Sequence, residues 1–232
     1  MTNNLVRIKF YERLNKLASF DYDNIECWQI AEAFNKAQRE WFRRQILGIN
    51  ARKDMAEQSL GSIDDLQKFI RSKELTGVNK DKLFETVNIP TDYMHFVRLT
   101  AKADSERCKN RELTVYLAEE ANVDVLLTDT LKGPSFEWAE TFGTLSNNKF
   151  SVYTNDQFAV QKATLHYYKK PVDISFDGCV NPSTGQSSTE QICELRDDVV
   201  EIIIDEAVAI LAGDMDNFNQ YQRNLQNGQR NS

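Results

Sequence analysis

The hydrophobic period changes twice along this chain, and neither a pure helical bundle nor a single sheet can absorb both changes. Asp23 to Leu47 carries apolar residues at three-and-four spacing (Cys27, Ile30, Ala31, Phe34, Ala37, Trp41). Glu32, Lys36, Arg39 and Arg43 fill the positions between, so the spacing predicts one long amphipathic helix. Asp23 with Glu26 three residues on has the form of a capping box, and Gly48 can end the helix. Leu5 to Leu17 reads as a shorter helix before it. Ser62 to Ile70, with Asp64 and Asp65 in the first turn, reads as a third.

From Lys82 to Phe176 the period becomes two, in runs rich in β-branched and aromatic residues. Tyr93, His95, Val97, Leu99 and Ala101 are expected along one face of a strand, with Leu113, Val115 and Leu117 on its hairpin partner across the loop from Asp104 to Asn110. A second hairpin is expected from Phe150, Val152 and Thr154 through the turn pair Asn155-Asp156 into a long strand, Phe158 to Tyr168. Between them Asn122 to Leu131 fits a short helix that Gly133-Pro134-Ser135 breaks. Beyond Glu190 the helical period returns at Leu195, Val199, Ile203, Ala207, Ile210 and Leu211, with Glu194, Asp197, Asp198, Glu201, Asp205 and Glu206 at the other positions.

The fold class that follows is α+β: an N-terminal helical bundle and a long C-terminal helix packed with a β-hairpin-rich, antiparallel middle. Its expected divisions are a helical region over 1–76, a β-rich region over 77–176, a loop of turn formers over 177–190, a helix over 191–213 and a tail over 214–232. Nine of the last twenty residues are Asn or Gln, so the tail cannot bury enough apolar surface to fold alone. Phe218, Tyr221 and Leu225 nevertheless recur at three and four, as the anchors of a segment that docks on a partner do.

At 232 residues and 41% hydrophobic content, the chain can bury a core without staples. Cys27, Cys108, Cys179 and Cys193 lack the short spacings of a metal knuckle or redox motif, and they read as reduced, buried thiols of a soluble cytoplasmic protein. Net charge is -7, with the acidity concentrated at the C-terminal end, and no basic stripe of the kind that grips a nucleic-acid backbone is present in the sequence. Gly-rich phosphate loops are absent, His95 and His166 both fall in strand patterns, and no nucleophile motif accompanies them. The segment from His166 to Pro171 mixes aromatics with lysines, but a strand ended by Pro171 accounts for it. No catalytic residue, cofactor or metal is expected. Glu201 and Asp205 lie four apart on one helix face and are the best carboxylate pair for a metal-dependent hydrolase; a solvated acidic face is the simpler reading.

Helices first, then a β-rich middle with Tyr153-Thr154-Asn155 before a strand ending at Tyr167 to Pro171, then an acidic helix entering a polar tail: this order resembles the head-to-tail connector proteins of short-tailed bacteriophages. Within them it is most similar to the ring proteins of crAss-like phages, over about Asp23 to Gln222. The resemblance implies a non-enzymatic subunit of a homo-oligomeric, twelve-fold ring below the portal protein, at the head–tail junction of the virion and in the host cytoplasm during assembly. Other tail ring or tail hub proteins are its further implied partners; genomic DNA passes through without sequence-specific binding, and no membrane is involved. It makes Phe218, Tyr221 and Leu225 candidate portal-docking residues. Asp198, Glu201 and Asp205 become a candidate acidic face toward the channel or a neighbouring subunit. Strong β-patterning from Tyr93 to Tyr168 departs from the mostly helical simple adaptors and admits a lower tail layer. A carboxylate-dependent metallo-hydrolase and a small host interaction module are the competing expectations.

Overall fold

The computed structural model describes residues 1–15, 25–47, 66–106, 108–180, 182 and 184–214. They form an α+β chain of four helices and an eight-stranded curled sheet. Two compact units divide it: Met1–Lys68 with Pro171–Ser232, and Phe69–Lys170.

The first unit holds α1 (Asn3–Leu14), α2 (Cys27–Leu47) and α4 (Asp197–Asp214). Capping of α2 lies one turn later than the sequence suggests: the Gln29 side-chain Oε1 accepts from the Glu26 N–H at 3.0 Å, while Asp23 falls outside the described residues. Ile30, Phe34, Ala37 and Trp41 of α2 are buried, and so are Val6, Phe10 and Leu14 of α1. Both helices contact α4. Buried positions on α4 come in adjacent groups, Val199-Val200, Ile203-Ile204, Ala207-Val208-Ala209 and Leu211-Ala212, so its apolar surface is wider than one stripe, as a helix flanked by two others requires.

From Pro171 the chain returns to this unit, and side chains of the helices hold it. Asn35 donates to the Ile174 carbonyl (3.1 Å) and accepts from the Ile174 N–H (2.8 Å). Asn3 donates to the carbonyls of Ser175 and Gln191, both at 2.9 Å. Cys27 on the first turn of α2 is disulfide-bonded to Cys179, which corrects the expectation of four reduced, buried thiols; Cys108 is exposed, and only Cys193 is a buried free thiol. Sequence spacing misses this bond because its ends lie 152 residues apart.

The second unit is the sheet: β1 (Ile70–Leu75), β2 (Gly77–Lys80), β3 (Leu83–Thr86), β4 (Tyr93–Asp104), β5 (Arg111–Leu117), β6 (Glu140–Ser146), β7 (Lys149–Tyr153) and β8 (Ala159–Lys169), in the order β1-β8-β4-β5-β6-β7-β3-β2. Its two edges are consecutive pieces of one segment, so the sheet curls until 70–75 pairs with β8 and 77–80 with β3. Gly77 permits the handover, since a Cβ there would stand 2.2 Å from the Glu85 carbonyl oxygen. Inside, Ala101 and Ala163 oppose one another between Leu113 on β5 and Leu75 on β1, small residues in the middle of a row flanked by large ones.

Strand structure begins at Ile70, earlier than the period-two run. Leu66 and Gln67 are helical, whereas of the rest of the expected helix from Ser62 to Ile70, residues 62–65 fall outside the described residues, Lys68 and Phe69 form a turn and Ile70 opens β1. The hairpin of β4 and β5 forms as expected. Its face does not run straight: irregularities at Tyr93/His95 and Phe96/Arg98 turn His95 and Val97 outward and leave Phe96 packed on the core. The second expected hairpin does not form. β7 pairs with β6 through Asn147 and Asn148, whose φ values of 47° and 62° suit a two-residue turn, and β8 pairs with β4 and β1 instead. Nor is the sheet wholly antiparallel, because β5 and β6 run parallel. A parallel pair needs a crossover, and residues 118–139 supply it with a 3-10 turn (Glu120–Asn122) and α3 (Val123–Thr128).

Candidate assembly surface

The acidic side of α4 is not a bare carboxylate wall. Glu201 takes Lys9 and Arg13 of α1, and Asp205 lies 3.2 Å from the Arg13 Nε. Arg13 also donates to the Glu201 carbonyl at 2.8 Å, so one guanidinium ties α1 to two turns of α4. Glu206 is paired with Arg44 of α2; burial still pushes its carboxyl above the ordinary range, against the pull of Arg44. Asp197 takes the N-terminal amine, and Asp198 is exposed beside Arg196 at 3.0 Å. Of the three acidic candidates, then, Glu201 and Asp205 are brought together, but toward α1. Only Asp198 faces solvent. Phe218, Tyr221 and Leu225 lie outside the described residues.

His95 is exposed, and His166 stands 3.4 Å from Arg98 across β4 and β8, its imidazole held below its ordinary value by burial and then by the arginine charge. Among the described residues no group of three or more His, Cys, Asp or Glu is placed to hold a metal ion. No helix among them is long and apolar enough to cross a membrane.

The outstanding surface lies on the crossover. α3 is apolar at Val123, Val125, Leu126 and Leu127 yet has no buried residue, and Leu131 and Trp138 are 91% and 78% exposed. Leu126, Leu131 and Trp138 border, with Tyr116, Leu117 and Phe142 of the sheet, a cavity of about 520 Å³. Exposed apolar side chains gathered around one concavity mark a place where another surface belongs.

The backbone that carries these side chains is held in place. Asp129 Oδ1 accepts from the N–H groups of Leu131 (2.8 Å) and Lys132 (3.2 Å), which keeps its carboxyl below the usual range and fixes the turn presenting Leu131. Ser135 Oγ accepts from the Trp138 N–H at 3.2 Å, and Arg111 donates to the Glu137 carbonyl at 2.9 Å while lying over the Phe136 ring. Ala139 then takes a φ of 58°, a conformation unfavourable for alanine that this framework supports. The Tyr116 hydroxyl donates to Glu140 at 3.1 Å, and that carboxylate raises its pKa. The surface is therefore preorganised rather than loosely displayed. Sequence reading passes over it because Leu131 and Trp138 belong to no periodic stripe. Two large apolar residues stranded among turn formers were the available signal.

No family model matches the chain, and no curated protein is significantly similar to it. Function therefore rests on the geometry and on the order of elements.

Proposed function

We propose that this chain is a structural ring subunit of a phage head-to-tail connector, sitting below the portal and extending the channel through which DNA leaves. The observation that carries this reading is the preorganised apolar surface of the crossover, which an assembly protein needs and an isolated globular domain does not. In this reading the N-terminal helices and the C-terminal helix form the body of the subunit, and the sheet follows α2 and precedes α4 in the chain. The segment after Gly213 is the arm that secures the ring through Phe218, Tyr221 and Leu225. Many copies compensate for the ordering cost of each arm, about 2–5 kcal/mol.

Paired charges within the helical unit support the reading from another side. Lys9, Arg13 and Arg44 are occupied by carboxylates of α4, so these charges tie α1 and α2 to α4 within one subunit. Analytical ultracentrifugation of the purified chain, alone and with portal rings, tests the assignment. A monomer or weak oligomer alone that joins the portal as a ring is the expected result. A chain that stays monomeric beside portal rings contradicts it.

A further inference from the structure

We infer that the crossover cavity is the receptor for the C-terminal arm of a neighbouring copy, so that each subunit holds the next one head to tail. This rests on the ring reading and names the arm's partner: the next copy of the chain in place of the portal.

Shape and polarity define what the cavity takes. Its walls are Leu117, Leu126, Leu131, Trp138 and Phe142, and it opens to solvent. The charged residues lining it are one cation, Lys132, and one carboxylate, Glu140. A matching occupant is an apolar segment with aromatic anchors and little net charge, since it meets one cation and one carboxylate there.

The arm has that chemistry. Eighteen residues follow Asp214, and their charged side chains are Asp216, Arg223 and Arg230, close to balance. Phe218, Tyr221 and Leu225 stand three and then four apart, the spacing with which a helix presents one row of anchors to a groove. As a helix the row would extend about 10 Å, short enough for one cavity to receive it. A receptor and a ligand on different parts of one chain make a heterologous contact, and such contacts generate rings when the rotation closes.

A photo-cross-linker, p-benzoylphenylalanine introduced at Leu131, tests this on the full chain. The position is 91% exposed, so the fold tolerates the change. Equal amounts of ¹⁴N- and ¹⁵N-labelled protein are mixed at high concentration, irradiated and mapped by mass spectrometry. Links between position 131 of one isotope and residues 215–232 of the other are expected. In the same experiment Trp138→Ser or Tyr221→Asp should lower their yield by about tenfold or more, as removing an aromatic anchor does. Links to the arm only within one isotope would make the contact internal to a copy and overturn the inference. Mixed-isotope links to some other segment would overturn it while leaving the ring reading intact. An absence of mixed-isotope links at any concentration would overturn the inference while leaving the ring reading, which expects a monomer or weak oligomer without the portal, intact.

Discussion

The Asn79 side chain acts as a peptide group toward Val160: its Nδ2 donates to the Val160 carbonyl at 2.8 Å and its Oδ1 accepts from the Val160 N–H at 3.1 Å. The bond sits where the segment 70–80 leaves β8 for β3, and it supplies the rung that the departing backbone cannot. Asn35 treats Ile174 in the same way within the helical unit.

Asn79→Leu should therefore leave the N–H and carbonyl of a residue only 2% exposed without these partners. The expected cost is about 1–3 kcal/mol. Denaturant unfolding measures it, and hydrogen exchange should show faster loss of the Val160 amide proton than in the wild type. Equal protection in both proteins would show that the rung contributes nothing.

Trp41 and Arg43 stand two apart on α2 and should respond oppositely to truncation. Trp41 is 3% exposed and meets the Phe42 ring edge-on at 5.4 Å, so Trp41→Ala should cost about 3–5 kcal/mol. Arg43 is exposed, and Arg43→Ala should cost under about 0.5 kcal/mol. Denaturant midpoints for the pair would reverse in order if the face assignment were wrong.

Tyr167 gives the sheet an alkaline limit. Burial, then the hydrogen bond to Asp92 at 2.9 Å, pushes its phenol up to about 12. An unfolded tyrosine ionises near pH 10, so between about 10 and 12 the unfolded state binds fewer protons than the native state. This contribution to stability is complete below about pH 10 and is lost as pH rises through about 12. Tyr167→Phe should flatten that decline in urea denaturation at stepped pH. An unchanged slope would remove Tyr167 as its source.

The four cysteines should titrate in three stages. Cys108 is exposed and should react with a thiol reagent in the native protein; Cys193 should follow on denaturation, and Cys27 with Cys179 only after reduction. Cys27→Ser with Cys179→Ser should lower stability by about 2–5 kcal/mol in the oxidised protein, because the bond closes a very long loop of the unfolded chain. Four reactive thiols in denatured, unreduced protein would contradict the pairing.

How much the sequence discloses depends on how local each decision is. Periodicity locates α2, α4 and the β4–β5 hairpin, because the residues that decide these elements stand close together. It places β7 but gives it the wrong partner, where two turn pairs compete: Asn155 and Asp156 do adopt positive φ, but Asn147-Asn148 makes the hairpin. It misses the outward turn of Val97, since a bulge is set by the partner strand. Spacing on α4 identifies Glu201 and Asp205 as a pair but cannot see Arg13 arriving from α1. The crossover surface is hardest of all, because Leu131 and Trp138 acquire meaning only when the parallel β5–β6 pairing brings them around one cavity.

The most direct test of the central claim is cryo-EM of intact tailed particles with symmetry imposed about the tail axis. The expected map has the helical unit and the curled sheet of this chain repeated in a ring at the head–tail junction around the DNA channel. A fully interpreted junction and tail that contain no copy of this chain would contradict the assignment.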